Sequence, residues 1–110
     1  MDRLQATAKA VFPSESRSAS PTAVEFDCKS AHALEVFVDV TAGGGSVVVA
    51  LLTAPDEDGP FRQVDVTGSL SSGSGDVLGV TRGAGVGGRA KITATVTGTV
   101  TFQVRAVVWG

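Results

Sequence analysis

The side chains best suited to chemistry in this sequence are one cysteine and one histidine, four positions apart. Cys28 and His32 are the only residues of their types in the chain. A zinc site needs three or four nitrogen or sulfur ligands, so this pair would supply only part of one. Cys28 also falls on the apolar face of an alternating stretch, where thiols are usually inert. We therefore predict that Cys28 belongs to the core and that His32 lies in a turn.

The acidic turn Asp56-Glu57-Asp58-Gly59 has the composition of a calcium-binding loop but lacks its pattern. An EF-hand loop alternates its ligands over about twelve residues and ends on a glutamate, and neither feature is present. Asp and Gly are also the residues that exposed turns favour. We predict a solvated turn that holds no metal.

The stretch from Arg82 to Arg89 (RGAGVGGR) is rich in glycine, as phosphate-binding loops are. A dinucleotide-binding loop opens a helix whose N-terminus holds the pyrophosphate. Here a strand pattern follows instead, and no Walker lysine is present. We predict a flexible link between strands, from which Arg82 and Arg89 would contact an acidic partner surface.

Composition and motifs argue against catalysis and against several classes of partner. The one imidazole lies in a predicted turn, and no nucleophile elbow, zinc-protease motif or paired-carboxylate signature is present. A net charge of −2 does not favour nucleic acid, and no segment approaches the roughly 20 apolar residues that span a bilayer. We therefore expect no enzymatic activity, no cofactor, no nucleic-acid partner and no membrane partner. The polar stretch Met1–Lys9 does not resemble a signal peptide, so we expect synthesis in the cytoplasm.

Charge is divided unevenly along the chain. Residues 1–76 carry five Lys and Arg against eleven Asp and Glu, for a net −6, whereas residues 77–110 carry four basic residues and no acidic one, for a net +4. In a sandwich the two segments interleave in space, so the charges either cancel or favour docking against neighbours of complementary charge.

Alternation of apolar and polar residues with a period of two indicates β-strands throughout. The pattern is strongest from Ala90 to Trp109, where the short turn Thr97-Gly98-Thr99 interrupts it. We predict a β-hairpin there. In the stretch 61–67 we expect Val64 and Val66 to point inward. The other predicted strands cover residues 5–12, 23–29, 33–41, 47–54 and 76–81.

Turn signals at intervals of roughly ten residues separate these strands. They predict an all-β protein: an antiparallel β-sandwich or jelly roll of seven to eight strands with an extended N-terminal arm. Residues 1–21 would form the arm, or an edge strand with a linker, and Pro13–Pro21 would be an exposed loop. Residues 22–110 would form the sandwich domain.

The chain also resembles the small virion proteins of tailed bacteriophages. The shared theme is a Val/Thr strand, an acidic Asp/Gly turn, an aromatic residue and a further strand, closed by an arginine-bearing hairpin. The residues that carry the resemblance are 32–41, 47–54, 56–61, 77–80 and 91–108. Phe61 stands where Trp or Tyr is common in that family.

The resemblance implies a β-sandwich that is a capsid decoration (cement) protein or another minor head component. We expect it on the capsid exterior, as a trimer or other homo-oligomer bound to the major capsid protein and stabilising the head lattice. Alternatives are a neck or tail protein of the virion and a carbohydrate-binding β-sandwich module. Aromatic residues and arginine are enriched at interface centres. The residues expected to make these contacts are Phe12, Phe37, Arg82, Arg89, Arg105 and Trp109, although Phe12 and Trp109 are equally suited to cap the domain's own core.

Overall fold

A computed structural model describes residues 6–29, 31–56, 58–81 and 86–110 of the chain. These residues form eight β-strands. The strands are β1 (Ala6–Arg17), β2 (Val24–Asp27), β3 (Ala33–Gly43), β4 (Ser46–Ala54), β5 (Arg62–Val66), β6 (Gly75–Thr81), β7 (Arg89–Thr97) and β8 (Val100–Trp109). No helix in the described ranges is long and apolar enough to cross a membrane.

The strands form two antiparallel sheets of four strands each. Sheet A has the order β1-β8-β3-β6, and sheet B has the order β2-β7-β4-β5. Consecutive strands therefore alternate between the sheets, except that β4 and β5 are neighbours in sheet B. Two interlocked Greek keys of this kind define the jelly roll. The predicted fold class is confirmed, and the strand order selects the jelly roll from the two predicted forms.

The predicted hairpin from Ala90 to Trp109 is wrong in its pairing, although both of its strands are present. β7 lies in sheet B between β2 and β4, whereas β8 lies in sheet A between β1 and β3. The turn at Gly98 is thus an arch that carries the chain from one sheet to the other. Both arrangements give each strand one buried face, so the alternation of apolar residues is the same for a hairpin and for an arch.

Glycine is required where two such arches pack together at one end of the sandwich. One arch joins β3 to β4, and the other joins β7 to β8. The Gly45 N–H donates to the carbonyl oxygen of Thr99 at 2.8 Å. A Cβ at Gly45 would overlap the carbonyl oxygen of Thr97, and Gly98 has a φ of 72°. The glycine turn between β3 and β4 is therefore held by a close backbone contact.

The core lies between the sheets and is filled by one side chain in two from each inner strand. Both sheets contribute large side chains that are almost completely buried; the largest are Phe102, Leu34, Leu51, Leu78 and Ile92. Phe12 of β1 packs edge-to-face on Phe102, with ring centroids 6.4 Å apart. Fully burying side chains of this size contributes about 1.5–3 kcal/mol each before conformational entropy is deducted.

The N-terminal segment forms an edge strand over its described part. β1 pairs with β8 from Ala6 to Arg17, and its register shifts twice, on either side of Phe12. The loop predicted from Pro13 to Pro21 therefore begins only at Ser18. An edge strand tolerates a proline because one side of its backbone has no strand to pair with.

Strand β5 contains a bulge that reverses the predicted direction of one side chain. Leu51 is opposite Asp65 but Leu52 is opposite Gln63, so Val64 is the extra residue. Val64 still packs against the core. Val66, predicted to point inward, is instead 42% exposed on the outer face of sheet B, because one added residue changes the parity of the alternation.

The β5–β6 side of the sandwich is closed by hydrogen bonds from two side chains. The Asp65 carboxylate accepts the N–H of Gly79, across the gap to sheet A, at 3.1 Å and that of Val66 at 2.9 Å. The buried Thr67 hydroxyl accepts the Val49 N–H at 3.0 Å and donates to the Gly68 carbonyl at 2.7 Å. Carboxylates that occupy the N–H groups of edge strands also protect those edges from pairing with other chains.

The opposite side of the sandwich, along β1, is closed by cations that cover aromatic rings. The Lys9 ammonium lies 5.0 Å from the ring centroid of Phe26 in sheet B. The Arg17 guanidinium lies 5.7 Å from the ring centroid of Phe12 and 5.3 Å from that of Phe102. An inward lysine, a proline and bulges are devices that protect an edge strand. Both sides of the sandwich are thus protected against pairing with strands of other chains. The broad outer faces of the sheets remain as surfaces for contact.

Candidate interface on the outer face of sheet A

The outer face of sheet A is built by the registers of its four strands. Paired residues in antiparallel strands lie side by side on the same face. Three consecutive rows, read from β1 across β8 and β3 to β6, are Ala6–Trp109–Ala33–Thr81, Ala8–Val107–Glu35–Gly79 and Ala10–Arg105–Phe37–Val77. We call these twelve residues the sheet A patch. Only Thr81, Glu35 and Arg105 among them carry polar side chains.

The direction of these side chains follows from the alternation in β3. Leu34, Val36 and Val38 point inward and are at most 1% exposed, so the residues between them point outward. Phe37 is 39% exposed and Val77, its neighbour on β6, is 50% exposed. A large aromatic ring beside an exposed valine is costly to leave in water, because apolar area contributes about 25 cal/mol per Å² when it is buried.

Arg105 and Glu35 are diagonal neighbours at the centre of the sheet A patch. Arg105 is opposite Phe37, and Glu35 is opposite Val107, which is two residues from Arg105 on the same strand. Diagonal positions of this kind are about 7–8 Å apart. Within the described residues neither charge makes an ion pair, and the Glu35 carboxylate accepts one hydrogen bond, from the Trp109 indole N–H at 2.5 Å. The two opposite charges are therefore both available to a partner.

A groove of about 680 Å³ opens beside Glu35. Glu35, Trp109 and Thr81 line its outer part, where Gly79 contributes no side chain to fill it. Its inner part reaches between the sheets and is lined by Leu34, Val80 and Val64. A Cβ at Gly79 would meet only the Leu34 carbonyl oxygen, at 3.6 Å, which is an ordinary contact. The backbone therefore does not require glycine at this position, and a larger side chain there would fill the groove.

The structure brings together three of the six residues predicted from sequence as contacts. Phe37, Arg105 and Trp109 all belong to the sheet A patch. Trp109 is half-buried, with its N–H directed to Glu35. Glu35, Val77 and Gly79 were not predicted as site residues. The signal that identifies them is the cross-strand register, which a single sequence does not contain.

The other three predicted contacts lie elsewhere. Of the two roles predicted for Phe12, the structure shows the one in the domain's own core: Phe12 is 4% exposed and its ring packs beside Phe102, so it is not an exposed anchor. Arg89 lies on sheet B, where it pairs with Glu25 at 3.7 Å. Arg82 falls outside the described residues.

On the outer face of sheet B the charges of the two halves of the chain meet. Strand pairing places Glu25 opposite Lys91 and Asp27 opposite Arg89. Lys91 also lies 5.3 Å from the ring centroid of Phe61. The acidic and basic segments thus interleave here, and the charge asymmetry of the sequence is partly cancelled by folding.

The side chains that could take part in chemistry are spread over different parts of the fold. Cys28 is 3% exposed, and its thiol donates to the Gly87 carbonyl oxygen at 3.2 Å. Burial, with a smaller contribution from Asp27, raises the pKa of the Cys28 thiol above its ordinary value of 9.0, while Arg89 opposes the shift. The prediction that Cys28 belongs to the core is confirmed, and His32 is exposed in the link before β3. Across the described ranges, no three His, Cys, Asp or Glu side chains are grouped to hold a metal.

In the acidic turn, the described carboxylates are exposed and one serves the turn itself. Asp56 accepts the N–H of Asp58 on its side chain at 2.9 Å and that of Gly59 on its carbonyl oxygen at 3.2 Å. Asp56 and Asp58 are both open to solvent. This is the usual way in which aspartate stabilises a turn.

No protein-family model matches the chain, and no curated protein matches it by sequence. Solved structures do match. The VP2 subviral particle of infectious bursal disease virus aligns with a TM-score of 0.65 at 10% identity, over 98% of this chain and 33% of the viral chain. The SPBc2 prophage-derived protein YomS aligns with a TM-score of 0.61 at 18% identity, over 100% of this chain and 97% of that chain. A chain of the disulfide-linked pili that form Bacillus endospore appendages aligns with a TM-score of 0.54 at 14% identity, over 98% and 88%.

These likenesses concern the fold. The chain spans about a third of the length of the infectious bursal disease virus chains it matches, but nearly the whole of YomS. All the identities are below 20%. The eight-stranded jelly roll of this chain is the fold of a viral capsid region and of a complete prophage-derived protein.

Proposed function

We propose that this protein is a non-enzymatic structural component of a bacteriophage particle, most specifically a capsid decoration protein. The observation that carries the proposal is the sheet A patch, an apolar face whose opposite charges make no ion pair within the described residues, on a jelly roll whose reactive groups are dispersed. The fold likeness to a viral capsid chain and to a prophage-derived protein supports a virion role. Fold alone does not assign function, whereas an exposed apolar face is evidence for a contact surface.

The proposed mechanism is adhesion to the head lattice. After synthesis in the host cytoplasm, the protein would bind the major capsid protein on the capsid exterior and bridge neighbouring subunits. A ligand that binds only the assembled shell stabilises it by mass action, and the effect grows with occupancy. Packaged DNA presses outward, and bridges between subunits would oppose that pressure. No step needs a cofactor or a covalent reaction.

The copy number of the chain in purified particles tests this proposal. A decoration protein covers a lattice, so we expect hundreds of copies per particle by quantitative mass spectrometry, released together with a loss of capsid heat resistance. A few copies per particle would instead indicate a neck or tail component. Absence from purified particles would reject the virion role. Adding purified protein to stripped shells should restore their heat resistance.

The groove beside Glu35 favours one alternative from another class, a carbohydrate-binding module. Jelly rolls include lectins, and the groove combines an indole, a carboxylate and the Thr81 hydroxyl. Sugar sites use such groups, with an aromatic face against the sugar ring. A glycan-array signal that Trp109→Ala abolishes would support this function, whereas an array without signal would leave the virion role as the better account.

A further inference from the structure

We propose that the sheet A patch is a two-fold interface between two copies of this chain, in which Arg105 of each copy enters the groove of the other and pairs with Glu35. This proposal concerns the isolated protein. It uses the same patch as the proposed capsid contact, so a copy engaged in the dimer cannot also bind a shell through this face; self-association and presence in particles are measured separately.

In a single chain the sheet A patch leaves apolar surface exposed. It spans four strands and three rows, and nine of its twelve residues are apolar or glycine. Phe37 and Val77 are two of the three large apolar side chains classed as exposed among the described residues, and they are neighbours. Contiguous apolar surface of this kind marks interaction sites in soluble proteins.

The two charges of the patch can pair with the same two charges of a second copy. Arg105 and Glu35 are diagonal neighbours, and neither makes an ion pair in the described part of the chain. Consider a two-fold axis that lies in the plane of the interface, passes midway between Arg105 and Glu35 and is perpendicular to the line joining them. Rotation about this axis exchanges the positions of the two residues. Each arginine then faces the glutamate of the other copy, and the contact occurs twice. Two-fold interfaces are self-complementary in this way.

The groove suits an arginine side chain. Its volume of about 680 Å³ exceeds what one side chain needs, and Glu35 lies on its wall. The carboxylate is held in place by the Trp109 indole N–H, which leaves its other lone pairs for a guanidinium. Guanidinium–carboxylate contacts are frequently bidentate, and this geometry adds specificity.

The area of the patch indicates the size class of the interface. With strands about 4.8 Å apart and outward residues about 6.8 Å apart along a strand, twelve positions cover roughly 400 Å² per copy. Stable complexes bury about 800 Å² per partner, so this contact belongs to the weak class. We therefore expect a weak dimer that associates at high micromolar concentration.

The test is an exchange of charges between two variants, followed by analytical ultracentrifugation from about 10 μM to 1 mM, the range in which a small interface associates. Wild-type protein should show a concentration-dependent dimer. Arg105→Glu and Glu35→Arg should each weaken association by roughly tenfold or more, because like charges then face each other twice. An equimolar mixture of the two variants should dimerise again, since both contacts regain opposite charges.

One control and two further variants separate effects on the interface from effects on folding. Arg62→Glu makes the same reversal at an exposed arginine of β5 in sheet B and should leave association unchanged. Glu35→Gln keeps an acceptor for the Trp109 N–H while removing the charge, and it should weaken association with an unchanged melting temperature. Gly79→Leu fills the groove without disturbing the backbone and should also weaken it.

Three results would overturn the proposal: a wild-type protein that stays monomeric to about 1 mM, the top of the concentration range tested; single variants that dimerise like wild type; or a mixture that does not recover. Each is independent of whether the chain is found in phage particles.

Discussion

The outer faces of the two sheets differ in how far the chain satisfies its own surface groups. On sheet B, Arg89 pairs with Glu25 at 3.7 Å and Lys91 covers the ring of Phe61. On sheet A, Arg105 and Glu35 make no ion pair within the described residues. Phe37 and Val77 are exposed on sheet A, whereas Val66 is the corresponding exposed residue of sheet B.

This difference shows which face the fold leaves for a partner. Both sheets have the same number of strands and the same inward alternation, so the contrast does not come from the architecture. It comes from the residues at the outward positions. On sheet A, Phe37 and Val77 are exposed, whereas on sheet B the outward positions of β2 and β7 carry charged and threonine residues and the outward Val48, Ala50 and Leu52 of β4 are half-buried or buried. In the interface proposed above, sheet A is therefore the adhesive face.

The largest expected effect compares two phenylalanines, one inside the sandwich and one on the sheet A patch. Phe12→Ala should lower the free energy of unfolding by about 3–5 kcal/mol, because it leaves a cavity beside Phe102. Phe37→Ala should cost about 1 kcal/mol or less, since the ring is already partly in water. Chemical denaturation measures both, and equal losses would show that Phe37 belongs to the core. Only Phe37→Ala should weaken association while the protein stays folded.

A smaller expected effect tests a buried hydrogen bond that the chain makes within sheet B. Thr67→Val removes the acceptor of the buried Val49 N–H, so we expect a loss of about 1–3 kcal/mol in the free energy of unfolding. Thr67→Ser keeps the hydroxyl and is the matched control. A valine variant as stable as the serine variant would mean that water replaces the hydroxyl. Neither substitution should change association.

Two arginines sharpen the contrast between the faces further. Arg89→Ala breaks a surface ion pair and should cost less than about 1 kcal/mol in stability, with no change in association. Arg105→Ala should leave stability equally unaffected but weaken association roughly tenfold. Added salt should also weaken the association of the wild type, because exposed charges are screened. If both arginines affected association alike, the assignment of the adhesive face would be wrong.

The smallest expected effect concerns the buried thiol of Cys28, directly after β2. Burial raises the pKa of Cys28 above 9.0, so its contribution to stability is fully present below pH 9 and is lost as the pH rises through the folded-state value. We expect slow alkylation of the folded protein at pH 8 and fast alkylation in denaturant. A thiol-reactivity assay checks this, and Cys28→Ser should remove the signal. Rapid labelling of the native protein would show that the interior opens.

Most strands were predictable because each shows its buried face as a period of two. The pairing was not. The stretch from Ala90 to Trp109 has the same alternation whether its strands pair with each other or face each other from opposite sheets. The bulge at Val64 illustrates the same limit on a smaller scale, since one extra residue moved Val66 to the other face.

The candidate site was predictable only in part for a related reason. Phe37 and Arg105 were identified by residue type and direction. That they are cross-strand neighbours, and that Glu35 lies diagonally beside them, depends on a register set by β8 between β1 and β3. For Phe12 the sequence left two roles open, because an aromatic residue near a predicted arm suits a contact and a cap of the core alike. β1 extends to Arg17, and Phe12 packs in the core.

The most direct test of the adhesive face is a dilution series followed by nuclear magnetic resonance. Backbone and side-chain shifts of Phe37, Val77 and Arg105 should change with protein concentration, whereas those of Gln63, Val66 and Lys91 on sheet B should stay constant. Changes confined to the sheet B residues, or shifts that do not depend on concentration at all, would contradict the account.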